Sequence, residues 1–186
     1  SVARSEPPDP LAWFGGMIDH CYDYAEAAQG RGQPIVGIMC EFTPREVILA
    51  AGAVPVCLCG GSAATIPAAE QHLPANLCPL IKSTFGYHVT GKNPFLNWAD
   101  LVVAETTCDG KKKMFELLGE RKAMHVLELP QKPDEPDVLG RWRDELLKLK
   151  AEGKVDVILL TGRMRGIERD IIIGEATVRL KSGAEA

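Results

Sequence analysis

Four times between residues 34 and 129 the chain passes through a short apolar run bounded by turn-forming residues: 34–40, 53–59, 99–104 and 124–129. Each run is short for a helix and too uniformly apolar for a strand with one wet face, so each is read as a strand buried on both sides. The intervening segments carry helical signals. Residues 10–29 put Leu11, Phe14, Met17, Ile18, Cys21 and Tyr22 at helical spacing before Gly30 and Gly32. Thr43, Pro44 and Glu46 form the pattern of an N-cap, a first-turn proline and a capping box, opening a helix over 43–51. Helices are further expected over 80–87, 111–118 and 137–150, and a short helix or loop over 63–71. Strands alternating with helices predict an α/β fold, a Rossmann-like parallel sheet with helices on both faces.

A length of 186 residues suits one such core. Residues 1–10, polar and Pro-rich, are read as a tail, 11–150 as the α/β domain, and 151–186 as an atypical C-terminal segment offering further strands at 155–160 and 171–180. No apolar run reaches the ~18–20 residues of a membrane span. With 25 acidic against 21 basic residues, and Lys111, Lys112 and Lys113 as the one basic run, the chain carries no electrostatic footprint for nucleic acid. Six cysteines without an apolar leader point to reduced thiols or metal ligands and to a cytoplasmic location.

Three of those cysteines carry the chemistry. Cys40 ends the first apolar run, Cys78 precedes Pro79 at a helix start, and Cys108 sits in the exit loop of the third run. Open α/β sheets bind ligands at this rim, where backbone N–H groups and helix dipoles favour anions and lower thiol pKa values. A thiolate-ligated iron–sulfur cluster suits that environment. The spacing of 38 and 30 residues is not a CxxC pattern, so a zinc site or simple burial of free thiols also remains open.

Four ordered motifs then carry a resemblance: Cys40-Glu-Phe-Thr-Pro-Arg-Glu with Ala50-Ala-Gly-Ala-Val-Pro-Val; Asn76-Leu-Cys78-Pro; Thr106-Thr-Cys108-Asp-Gly-Lys-Lys-Lys-Met; and His125-Val-Leu-Glu-Leu-Pro-Gln. Over roughly residues 10–150 the chain resembles the N-terminal part of the 2-hydroxyacyl-CoA dehydratase D-component family. That family includes benzoyl-CoA reductase-type subunits, and the wording is closest to the double-cubane cluster proteins. The resemblance implies that Cys78 and Cys108 are cluster ligands and that Cys40 is the additional ligand of the double-cubane branch. It implies a 4Fe-4S cluster, or half of a double-cubane 8Fe-9S cluster, in a low-potential dehydratase or reductase. It also implies an ATP-dependent iron–sulfur activator as electron donor, and an acyl-CoA or small-molecule substrate. Family members are about twice this length, and no cysteine follows Cys108. A complete site therefore requires a second domain or subunit, and an open sheet edge is expected to pair with another chain. The alternative is a non-catalytic assembly or truncated domain that has lost the cluster.

Other residues receive plainer readings. Cys57 and Cys59 share one face of a strand and are expected in the core, as is Cys21 on the first helix. His125 is read as a core histidine, and His20, His72 and His88 lack metal-binding spacing. Lys111–Lys113 are expected to be a solvated helical turn, the alternative being contact with a CoA phosphate or the activator. The triplet opposes the helix dipole, which an anion there would offset. Thr106, Thr107 and Gly110 are candidate hydrogen-bond donors to sulfur, and Asp109 is the expected helix cap. Glu105 is open to two roles, proton handling at the site or a surface salt bridge. The chain contains no GxGxxG, GxxxxGK[ST] or GxSxG.

Overall fold

The computed structural model describes residues 11–132 and 134–152. In chain order it contains α1 (Ala12–Gly15), α2 (Met17–Gly30), β1 (Ile35–Ile38), α3 (Arg45–Ala50), β2 (Val54–Cys57), a 3-10 turn (Ala63–Thr65), α4 (Ile66–Ala69) and α5 (Pro79–Val89). There follow α6 (Pro94–Trp98), β3 (Leu101–Glu105), α7 (Asp109–Gly119), β4 (Met124–Leu127) and α8 (Val138–Glu152). The four expected strands form one parallel sheet in the order β2-β1-β3-β4. The α/β reading therefore holds. The tail and the strands expected at 155–160 and 171–180 lie outside the described residues.

Alternation along the strands divides the core in two. Ile35, Val54, Val56, Val102 and Ala104 face α2, α5, α6 and α7, packing with Ala25, Ala28, Phe85, Leu96, Phe115 and Leu118. Val36, Ile38, Val103 and Leu127 face α3 and α8 through Ile48 and Leu149. Such fully buried aliphatic side chains each contribute about 1.5–3 kcal/mol, so helices on both faces are an energetic necessity for strands this apolar. Asp100 fixes the start of β1, its Oδ2 accepting the Ile35 N–H at 2.9 Å. Gly86 lets α5 lie against the 3-10 turn; a Cβ there would stand 2.0 Å from the Thr65 carbonyl oxygen.

Several local expectations require correction. The first helix is broken at Gly16, and its apolar stripe does not enter the core: Leu11, Phe14, Met17, Ile18 and Tyr22 are exposed, and α2 buries Ala25 and Ala28 instead. Cys21 is exposed as well. The capping box at Thr43 does not form, since the helix begins one residue later, with Pro44 at the cap position and no side-chain capping bond. The Thr43 hydroxyl is buried without a partner.

Candidate functional site

From β1 the chain moves to β2 on one side, and β3 then pairs on the other. The carboxyl ends of β1 and β3 therefore flank the reversal of strand order, where open α/β sheets form their ligand crevice. Cys40 lies two residues beyond β1 and Cys108 three beyond β3. Met39 N–H donates to the Val103 carbonyl at 2.9 Å, carrying the β1–β3 register up to the edge of the crevice.

Cys40 adopts φ 77°, a left-handed conformation that L-residues with a Cβ disfavour. Its half-buried side chain faces the start of α7. The Lys111 ammonium donates to Cys40 Sγ and, at 2.6 Å, to Thr107 Oγ1. The Thr107 hydroxyl itself points at Cys40 Sγ from 3.9 Å. Burial pushes the Lys111 pKa down, but the hydrogen bond to Cys40 and the charges of Cys40, Cys108 and Cys59 outweigh it, and the pKa is raised.

Cys78 and Cys108 occupy equivalent positions. Each is the N-cap of its helix, α5 and α7 respectively, each makes no side-chain capping bond, and both thiols are exposed. The two helix starts approach each other at Gly110, where a Cβ would meet Leu77 Cδ1 and Ile81 Cδ1 at 3.0 Å. Lys82, one turn into α5, is buried; its ammonium donates to Glu70 Oε1 and to the Ala75 carbonyl, both at 2.6 Å. This clamp fixes the loop that delivers Cys78. Uncapped N–H groups at both helix starts make the rim favourable to an anion.

The pair Cys57 and Cys59 is not in the core. Leu58 between them is fully buried, so the two thiols point the other way and are exposed. They share a hydrogen bond that lowers the Cys57 pKa to about 6 and raises that of Cys59, which burial raises further. The Cys40 N–H points at Cys59 Sγ, which joins the pair to the same rim. Among the described residues, no three His, Cys, Asp or Glu side chains converge on a position for a single metal ion.

Glu105, the last residue of β3, is 0% exposed, and neither carboxylate oxygen has a hydrogen-bond partner. The surface salt bridge is thus excluded. Burial raises its pKa, against the opposing pull of the Phe42 and Glu41 N–H groups and the Lys111 charge. Asp109 is not the cap of α7 but its first residue, paired with Lys112 at 3.2 Å. Lys112 and Lys113 are solvated as expected, whereas Lys111 turns inward. Of the candidate sulfur donors, Thr107 faces Cys40, while Thr106 Oγ1 accepts the Leu129 N–H at 3.0 Å. His125 is buried in β4 as a core histidine. No helix among the described residues is long and apolar enough to cross a membrane.

Comparison with known proteins identifies the family of the chain. The sequence model of the family described as "2-hydroxyglutaryl-CoA dehydratase, D-component" matches residues 40–155, which include all three rim cysteines. A protein of Escherichia coli K12 named "Putative dehydratase subunit YjiM" is 51% identical over 120 residues, covering 64% of this chain and 31% of that protein. The matched span is thus less than a third of that relative's length. The family match extends over more than half of the chain, and the chain belongs to the 2-hydroxyglutaryl-CoA dehydratase D-component family.

Proposed function

We propose that this chain is the cysteine-bearing α/β part of a low-potential iron–sulfur dehydratase or reductase, with Cys78, Cys108 and Cys40 as cluster ligands. The observation that carries this reading is the pair of exposed thiols at two adjoining, uncapped helix N-termini, with Cys40 on the loop after β1 tied to the start of α7 through Lys111. The donor chemistry fits the group. Thiolates are the ligands of iron–sulfur clusters, and the N-terminal ends of α5 and α7 favour an anionic group bound at the rim.

When bound, such a cluster supplies one-electron chemistry at low potential. The chain's own residues bind and orient. Lys82 and Glu70 fix the Cys78 loop, Gly110 allows the two helix starts to meet, and Thr107 directs a hydroxyl at Cys40. Three thiols leave room for substrate or for ligands from elsewhere, so the complete site includes a second domain or subunit, and the electron comes from an ATP-hydrolysing activator. The YjiM relative, a dehydratase subunit by name, supports a multi-component enzyme. The exposed apolar residues of α1 and α2 supply surface for such an assembly.

The test is anaerobic reconstitution followed by iron and acid-labile sulfide analysis and EPR of the dithionite-reduced chain. About four irons per chain are expected for one cubane, with loss in Cys78→Ser and Cys108→Ser and retention in Cys21→Ser. Wild-type chain without iron and sulfide would instead leave a non-catalytic truncated or assembly domain that has lost the cluster.

A further inference from the structure

Three consecutive lysines open α7, where the helix dipole opposes positive charge. Two of them are accounted for locally: Lys112 pairs with Asp109 and Lys113 with Glu116 at 2.7 Å. Lys111 is different. Among the described residues no carboxylate forms an ion pair with it; its ammonium donates to Cys40 Sγ and to Thr107 Oγ1, and it lies in the field of Cys108 and Cys59. A half-buried cation at a helix N-terminus without a carboxylate counterion is unfavourable unless negative charge accumulates beside it. The groups within reach that can supply that charge are the Cys40 and Cys108 sulfurs and the Glu105 carboxyl, and burial makes Glu105 hold its proton more tightly than usual.

We infer that Lys111 is a positioning residue of the proposed cluster site: its ammonium holds the Cys40 side chain toward the rim and offsets the negative charge of a thiolate-bound group, favouring that group's reduced state. This role rests on the cluster reading and adds a specific electrostatic consequence. Reduction places one more negative charge at the rim, and a fixed cation lowers the free energy of that state more than of the oxidised one. Lys111→Met removes the charge while keeping much of the stem, Lys111→Arg keeps the charge, and Lys112→Met removes an exposed neighbour's charge from the same helical turn.

The experiment compares these variants with the wild-type chain after anaerobic reconstitution, reading iron and sulfide content and the midpoint potential by EPR-monitored titration. The expected result is a midpoint potential shifted to more negative values in Lys111→Met, with Lys111→Arg and Lys112→Met close to wild type. Failure of Lys111→Met alone to retain cluster, with Lys111→Arg loaded, also supports the role. A loaded Lys111→Met chain with the wild-type potential overturns it while leaving the cluster reading intact. Loss of cluster in both Lys111 variants, with far-UV circular dichroism unchanged, overturns it in favour of a steric part for the lysine. A wild-type chain that takes up neither iron nor sulfide overturns the cluster reading and this role together.

Discussion

Cys40 concentrates the conflict between stability and function in one backbone angle. With φ 77° and a Cβ, it sits in a conformation that costs roughly 1–2 kcal/mol relative to the right-handed region, a penalty that glycine escapes. In the cluster-free chain Cys40→Gly is therefore expected to raise unfolding free energy by about 1 kcal/mol, measured as a higher urea midpoint. The same substitution removes a proposed ligand, so stability and iron uptake should move in opposite directions. No sequence pattern announced this strain. Residues 38–44 lack the glycine that usually marks a left-handed turn, and the angle is set by the need to turn out of β1 beside β3. Lys111 was hidden for a related reason: its partner Cys40 is 71 residues away. Its one sequence signature is the unfavourable cationic triplet at a helix start.

At the scale of elements, α5 ties the Cys78 end of the site to the rest of the fold. Gly86 is pressed against the Thr65 backbone, and Thr65 Oγ1 donates to the Ser83 carbonyl at 2.8 Å. A methyl group at position 86 meets main chain rather than a flexible side chain. Gly86→Ala is accordingly expected to lose about 1–3 kcal/mol despite the better helix propensity of alanine, checked by urea denaturation. The strands and the longer helices were legible because apolar runs and turn residues alternate cleanly. The five-residue α6 was not, since its Asn93 cap, which accepts the Leu96 N–H at 3.3 Å, follows a run of other turn-forming residues in the sequence. Cys57 and Cys59 were misassigned because two residues on one strand face can occupy either face. Leu58 took the covered one, leaving the thiols on the open side of the edge strand β2. In the first helix the apolar spacing was real, but periodicity reports which residues share a face and not how far that face is covered: of the stripe, Tyr22 meets rings of another helix, Phe95 and Trp98 of α6.

For the whole molecule, two buried and unpartnered titratable groups set opposite limits on pH stability. His88, 5% exposed with neither ring nitrogen hydrogen-bonded, has its pKa lowered by burial to about 4. A depressed histidine leaves the folded state with fewer bound protons than the unfolded chain. Its contribution is thus present above the ordinary histidine pKa of 6.5 and is lost as pH falls toward 4, on the order of 3 kcal/mol. His88→Leu should flatten that acid limb in denaturation midpoints measured from pH 7 to 4. Glu105 acts in the other direction. Its raised folded pKa means that the folded chain holds the proton more tightly, so stability is greatest below the ordinary carboxyl value of 4.5 and falls as pH rises through the raised one. Glu105→Gln should therefore gain on wild type progressively as pH increases above 5. Comparing midpoints of the two chains at pH 5 and 8 checks this, and an unchanged difference would contradict a proton held by Glu105.

The separation of the three rim thiols along the chain has a further consequence for cohesion. Cys40, Cys78 and Cys108 belong to three different connections of the sheet, 38 and 30 residues apart. Any group bonded to all three closes two long loops at once, and the unfolded chain would forfeit conformational freedom as it does when disulfides span such distances, about 4 kcal/mol for each loop in the chain-entropy model. A prosthetic group at this rim would thus act as a three-armed cross-link, binding α5, α7 and the turn after β1 into one cooperative unit whose melting follows the loss of the group itself.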